Sequence, residues 1–443
     1  MPVAIMGAMG GDPIQWVYGL QRFGIKLGLE GIRTLLDRLG RPETAYPSVL
    51  VGGTNGKGSV AAMMEAMLAA AGRKTGLYTS PHLLRPGERV RIEGRDLSDV
   101  DLGRHLDTVR VAIESALADG ALADHPSFFE VMTAAALVGF REAGIDVAVL
   151  EVGLGGRLDA TNAVDAAISV IVTVDLDHTD RLGATIGEIA REKSGIVKRG
   201  RPLVTGVRGE EALTVLLRAS QEAGSPMIEA ARVADVAFEP GGTFALATTS
   251  ARYDRLSLPL PGRHQVENAR VAVVAIEELG RALGDPIAPE AVRRGLREVR
   301  WPGRLEWLEG EPPILLDGAH NPAGASALAD YLRERGGEAP ILLFGAMANK
   351  DARGILEPLA PLVRSAVVTR PPVDRAADPA DVARAAAGLG VAIETVGDPA
   401  AALARARALA MPGGFVLVAG SLYLVGAIVG LTRHLDAPGP VAM

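Results

Sequence analysis

An apolar run at residues 48–51 enters the turn Gly52-Gly53-Thr54-Asn55-Gly56-Lys57-Gly58-Ser59 and leaves it into an Ala- and Met-rich helical pattern over residues 59–71, ended by Gly72. A strand, a tight glycine turn and a helix in that order leave few folds open, because the next strand must return parallel to the first. The alternation continues. Residues 75–79, 146–150 and 167–174 read as strands, and residues 99–118, 130–142 and 186–193 as helices, with Gly195 placed to cap the last of these. After Gly200 come a strand, a helix and short alternating strands through Leu260, and Pro261-Gly262 then leads into a helix over residues 266–283. The stretch 295–304, with Trp301-Pro302-Gly303, reads as a linker. Beyond it, strands are expected at 314–316, 341–344, 366–369, 391–396 and 415–418. A chain of 443 residues is too long for one ordinary core, so two α/β domains, 1–298 and 299–443, are expected to meet at a hinge near residue 300.

Composition narrows the chemistry. Hydrophobic residues make up 48% and charged residues 22%, as in globular proteins, and the formal net charge of −7 argues against binding nucleic acid through bulk positive charge. Any anionic substrate must be held by a local group of Lys and Arg. The chain has no cysteine, which excludes disulfides, thiolate metal sites and a Cys nucleophile. Residues 1–13 lack the basic start of a signal peptide. The uncharged run 415–432 approaches bilayer length, but Gly420-Ser421 and Gly426 interrupt it, so a buried strand followed by a packed helix is expected. A cytoplasmic protein without a membrane segment is the expectation.

The glycine turn is suited to phosphate. Successive backbone N–H groups and a helix N-terminus form an anion cradle, Lys57 can supply a point charge and Ser59 a hydroxyl near a metal. The usual pattern places Ser or Thr directly after the Lys; here Gly58 intervenes, which speaks against an ordinary NTPase. Three more polar groups follow expected strands: Ser80 in Thr79-Ser80-Pro81-His82, Glu151 after residues 147–150, and His178 beyond residues 170–174. Alone, Ser80 could start a turn, Glu151 could pair with Arg157, and His178 could be an ordinary loop imidazole. Strand C-termini of a parallel sheet share one edge, however, so all three should converge with the phosphate loop. Hydroxyl and carboxylate oxygens there suit Mg²⁺. Lys193 lies on the apolar face of its helix; it could complement the helix dipole, or burial could depress its pKa so that the neutral amine adds carbon dioxide. The resulting carbamate could bind a second Mg²⁺ beside His178.

With these motifs the chain resembles the bacterial folylpolyglutamate synthase/dihydrofolate synthase family of the Mur ligase superfamily. The resemblance rests on Leu27-Gly-Leu-Glu30, Gly53-Thr-Asn-Gly-Lys-Gly-Ser59, Tyr78-Thr-Ser-Pro-His82, Phe128-Phe-Glu130, the long motif Leu150-Glu-Val-Gly-Leu-Gly-Gly-Arg-Leu-Asp-Ala-Thr-Asn162, Leu176-Asp-His-Thr179, Glu192-Lys-Ser-Gly195, His264-Gln-Val-Glu-Asn268, Pro302-Gly-Arg304 and Asp317-Gly-Ala-His-Asn-Pro322. It implies a P-loop-type N-terminal domain, mostly parallel with helices on both faces, and a smaller Rossmann-like α/β domain. It implies ATP contacts from Thr54, Asn55, Gly56, Lys57, Gly58, Ser59, Asn268, Arg304, Asp317 and His320. Ser59, Ser80 and Glu151 would serve one Mg²⁺, and His178 with carbamylated Lys193 the second; K⁺ belongs to the same set of implied cofactors. Lys57, His178, Lys193 and Arg304 would carry the chemistry. Gly28, Leu29, Glu30, Ser127, Phe128, Phe129, Glu130, Leu158, Asp159 and Ala160 would line a pterin pocket. Asp317, His320 and Asn321 could otherwise form an Asx turn with a helix cap. Departures are small: Pro86-Gly87 stands where the family often has bulkier residues, and Ser194 where Ala is usual.

The implied activity is ATP-dependent ligation of L-glutamate to dihydropteroate or a reduced folate, by a monomer that binds small molecules only. A peptidoglycan-precursor ligase would need an additional N-terminal domain, and the phosphate loop begins near residue 52. A non-catalytic nucleotide-binding regulator would be expected to lack one of Lys57, Glu151 or His178, and all three are present.

Overall fold

The computed structural model describes residues 11–24, 26, 28–239 and 241–433. Leu27, most of the 1–13 stretch and the last ten residues lie outside the described residues.

The N-terminal half is built on an eight-stranded sheet of β1 (Ser48–Gly52), β2 (Thr75–Tyr78), β3 (Val90–Ile92), β4 (Arg95–Asp96), β5 (Val147–Glu151), β6 (Ile168–Ile171), β7 (Leu203–Thr205) and β8 (Met227–Glu229). Its order is β4-β3-β2-β5-β1-β6-β7-β8; the run from β2 to β8 is parallel, and β3 and β4 add antiparallel. Side chains alternate between faces, and both faces are covered. On β1, Leu50 joins the apolar layer under the helices Asp99–Ala118 and Phe128–Ala143, while Val49 and Val51 join the layer under Lys57–Ala70 and Arg263–Leu283. That two-sided burial explains why these strands read as continuous apolar runs. A small antiparallel sheet of β9 (Ala234–Phe238), β10 (Phe244–Thr248) and β11 (Arg252–Leu256) sits beside the second layer.

The C-terminal half repeats the scheme with β12 (Glu306–Leu308), β13 (Ile314–Leu316), β14 (Ile341–Phe344), β15 (Ser365–Val368), β16 (Ile393–Thr395) and β17 (Val416–Ala419), in the order β12-β13-β17-β14-β15-β16. Only the edge strand β12 is antiparallel. Leu315, Leu342 and Phe344 face one apolar layer; Ile314, Leu316 and Leu343 face the other.

Several boundaries differ from the sequence reading. The helix after the phosphate turn starts at Lys57, not residue 59, so the lysine itself lies in its first turn. Residues 295–298 are not linker: they close the helix Pro289–Glu298, whose Gly295 backs onto the main chain of Met67. Gly195 does follow the helix Ile186–Ser194, but with φ −62 it does not use glycine's left-handed freedom; a Cβ there would lie 2.3 Å from that of Arg157, so close approach selects it. The uncharged run 415–432 resolves into β17 and the helix Leu422–Arg433, whose twelve residues span roughly 18 Å. Among the described residues no helix is long and apolar enough to cross a membrane.

Candidate active site

The phosphate loop leaves β1 and is pinned to the neighbouring chain after β6. Thr54 N donates to Thr173 O (2.9 Å), Asn55 N to Thr173 Oγ1 (2.9 Å), and Thr54 Oγ1 accepts from Asp175 N (3.0 Å). Gly56 N-caps the helix Lys57–Ala70 at φ +82, and a Cβ there would fall 2.6 Å from Asn268 Oδ1. Left-handed backbone and the facing amide both require glycine at this point. Lys57 Nζ folds back onto Thr54 O (3.2 Å).

Glu151 ends β5, one sheet position from β1, and its Oε2 accepts from Ser80 N at 3.1 Å just past β2. It is 5% exposed; burial pushes its carboxyl up, against the charge of Lys57 and the Ser80 N–H. His178 adopts left-handed backbone (φ 49) before the turn Thr179–Leu182. Burial first, then the Lys350 ammonium, hold its imidazole down at about 4. Lys193, 3% exposed, donates to Gly53 O at 2.9 Å; burial first, then the charge of Lys57, bring its amine down to about 7.

The second domain closes over this rim. Arg304, in the connector ahead of β12, is half-buried and lines the site, and Asp317 accepts from Leu305 N (3.1 Å) and Ala319 N (2.9 Å). The amides of Asn55 and Asn321 bond reciprocally, at 3.2 and 3.0 Å. Asn321 also N-caps the helix Pro322–Arg335 through Gly324 N (2.8 Å) and donates to Asp177 Oδ2 (3.1 Å). Asp177 pairs with Lys350 and faces His320 Nε2 at 3.5 Å. Burial alone would raise the Asp177 carboxyl; His320 and Lys350 outweigh it and hold it far below the usual carboxylate range.

One cavity of about 330 Å³ gathers Thr54, Asn55, Gly56, Lys57, Gly58, Ser59, Ser80, Glu151, His178, Lys193, Asn268, Arg304, Asp317 and His320. A narrow neighbouring pocket of about 60 Å³ is lined by Gly28, Ser127, Phe128, Phe129, Glu130, Leu158, Asp159 and Ala160. Gly153 and Leu154 line both, so the two pockets are neighbours that share this stretch of wall. Leu29 and Glu30 stand outside the pocket lining: Leu29 precedes the helix Glu30–Arg38 and packs into the core beneath it, and Glu30 is exposed on its first turn.

Four groups escaped the sequence reading. Lys350 lies six residues beyond β14, too far from the strand end for the parallel-edge rule to place it. Asp177 sits beside His178, and the sequence around Asn321 signals a helix cap but not its bond to Asp177. Arg89, 1% exposed, lines the narrow pocket, lies 5.1 Å from the Phe128 ring and has no hydrogen-bond partner at Nη1 or Nη2; nothing in its sequence neighbourhood signals that.

Residues 123–276 match the Mur ligase middle domain, and residues 303–422 the Mur ligase glutamate ligase domain. The chain is 36% identical to the dihydrofolate synthase/folylpolyglutamate synthase of Bacillus subtilis, over 79% of this chain and 82% of that one. It belongs to the folylpolyglutamate synthase/dihydrofolate synthase family of Mur ligases. A family member from Mycobacterium tuberculosis, solved with ADP, superposes with a TM-score of 0.88 at 34% identity, covering 95% of this chain and 98% of that one. The Escherichia coli FolC protein, solved with DHPP and ADP, gives 0.86 at 30% identity, over 96% and 98%. A probable bifunctional folylpolyglutamate synthase/dihydropteroate synthase from Haloferax volcanii is 41% identical over 94% of this chain. The chain spans about half the length of that relative, 49%.

Proposed function

We propose that the chain is an ATP- and Mg²⁺-dependent ligase that joins L-glutamate to the carboxylate of dihydropteroate or a reduced folate. The observation that carries this reading is the pair of adjoining pockets: a cavity built on the glycine turn and walled by both domains, sharing Gly153 and Leu154 with a pocket flanked by Phe128 and Phe129. Residues 1–298 would hold nucleotide and acceptor, and residues 299–443 would close over them and bring Arg304, Asp317 and His320.

In the proposed reaction an acceptor carboxylate oxygen attacks the γ-phosphorus of ATP, the bond to the β,γ-bridging oxygen breaks, and ADP leaves. The glutamate amine then attacks the acyl phosphate carbonyl, loses a proton and expels inorganic phosphate. Coupling to ATP drives an amide bond that is unfavourable in water. Lys57 and Arg304, both lining the cavity, would offset negative charge developing on the transferring phosphoryl. The Asn55–Asn321 and Asp177–Lys350 contacts draw the domains together and keep water from the acyl phosphate. Arg89 is placed to meet an acceptor oxygen at the pocket wall.

The donor set fits Mg²⁺. Among the described residues no three of His, Cys, Asp and Glu cluster as a metal cage, and Mg²⁺ normally takes one or two protein oxygens together with phosphates and water. Glu151 offers a buried carboxylate with no cationic side chain bonded to it among the described residues, and Ser59, Ser80, His178 and Lys193 line the same cavity. Carbamylated Lys193 would supply the oxygen that its amine does not. Bound there, Mg²⁺ would offset phosphate charge.

The net charge of −7 supports small-molecule substrates over nucleic acid, and we take the chain to act as a monomer. The test is phosphate release with ATP, glutamate and either dihydropteroate or tetrahydrofolate, with products sized by mass. Release that needs neither glutamate nor a pteroate would overturn the reading.

A further inference from the structure

The connector between the domains does more than join them. Residues 299–305 run from the helix Pro289–Glu298 to β12, and the indole of Trp301 lies against the phosphate loop. A Cβ built on Gly58 would stand 2.6 Å from Trp301 Cζ2, 3.0 Å from Cε2 and 3.1 Å from Nε1, so the ring touches the loop backbone where any other residue would push it away. The ring's remaining surface packs with the apolar layer under the helix Lys57–Ala70, and the Arg91 guanidinium lies 5.9 Å from the ring centroid. Its buried Nε1 has no hydrogen-bond partner, so packing and the Arg91 contact, rather than a hydrogen bond, set the indole's position. The preceding helix meets the same helix lower down, where Gly295 touches the backbone of Ala66 and Met67.

Two residues beyond Trp301 the chain is already tied to the other domain: Gly303 O accepts from Gly318 N at 3.0 Å, and Arg304 Nη1 donates to the same oxygen at 3.0 Å. Only Pro302, with its fixed φ, separates the point anchored on the phosphate loop from the point anchored on the second sheet. A change in loop shape at Gly58 therefore reaches Arg304 through three residues, with no flexible segment between. The extra glycine that separates Lys57 from Ser59 acquires a reason: it makes room for the indole.

We propose that Trp301 is a positioning residue: it suspends the C-terminal domain from the phosphate loop, so that a nucleotide-filled loop sets the approach of Arg304 to the transferring phosphoryl. This rests on the ligase reading above.

The test uses the full chain. Trp301→Ala should bind a fluorescent ATP analogue about as well as the unaltered chain while kcat for ligation falls about tenfold or more, the scale of a slightly misplaced catalytic group. Trp301→Phe, which keeps an aromatic face on Gly58, should recover most of that kcat. Gly58→Ala should lose nucleotide affinity, and adding Trp301→Ala to it should restore part of the loss, because the methyl then has room. In a Trp16→Phe/Trp307→Phe background Trp301 is the sole indole of the three in the sequence, and its emission should shift when ADP binds. Unchanged kcat in Trp301→Ala, no restoration in the double variant, or emission indifferent to ADP would each overturn the proposal. Should Trp301→Ala fail to fold, Trp301→Phe and the sole-indole emission decide. If the unaltered chain ligates nothing, the ligase reading fails, while the nucleotide-affinity and emission arms still judge the Trp301 contact.

Discussion

Lys193 offers a sharp test, because its position is costly unless the amine is used. An ordinary lysine amine, near 10.5, is neutral in roughly one molecule in a thousand at pH 7.5. Burial and Lys57 bring that of Lys193 to about 7. At pH 7.5 about three quarters of it is then neutral, a gain of roughly 700-fold in the form that reacts with carbon dioxide. Carbamate formation also releases a proton, so at constant dissolved carbon dioxide occupancy below saturation should rise roughly 250-fold from pH 6 to 7.5 and about tenfold per pH unit beyond pH 8. Carbon-13 NMR with labelled bicarbonate reads that occupancy directly. The same shift carries a stability cost. Below about pH 7 the folded chain must accommodate a buried ammonium, and the cost is full. Between 7 and 10.5 only the unfolded amine is charged, and the cost fades. Lys193→Met removes the ammonium and also the hydrogen bond to Gly53 O. The net effect should be a stabilisation of about 2–3 kcal/mol at pH 7 that disappears toward pH 10.5, read from urea midpoints. The variant should be inactive. Lys193→Ala, equally inactive, should regain some turnover with short carboxylates that replace the carbamate. Absence of a labelled carbamate together with full activity in either variant would refute this reasoning.

Other outcomes follow from the same geometry. Lys57→Ala, Glu151→Ala and His178→Ala should each lose glutamate ligation by orders of magnitude while circular dichroism and melting stay close to those of the unaltered chain; near-normal turnover in any of them would count against the site. Lys350→Met leaves the buried Asp177 carboxylate without its ammonium partner and should destabilise by about 3 kcal/mol, with a larger radius of gyration in scattering as the domains part. Gly195→Ala should destabilise although alanine favours helices, because its methyl meets Arg157; the urea midpoint measures it. Phe129→Ala should raise KM for the acceptor and leave KM for ATP close to normal in steady-state assays.

The strands that position the site were readable because each is buried on both faces, which forces continuous apolar runs such as 147–150 and 341–344. The short strands β3, β4 and β12 were not, since two or three residues, mostly half-buried or exposed, carry no run to recognise. Ser80, Glu151 and His178 could be placed together because parallel strands end on one side, a rule of topology that needs no coordinates. The amino-acid order alone therefore determined the alternation of strand and helix, the phosphate loop and one rim of polar groups. Contacts between residues far apart in the chain were decided only when the chain folded. Asn55 meeting Asn321, Lys350 closing on Asp177, and the indole of Trp301 seated on Gly58 each join segments more than a hundred residues apart. Side-chain direction and domain approach set such pairs, and local periodicity encodes neither.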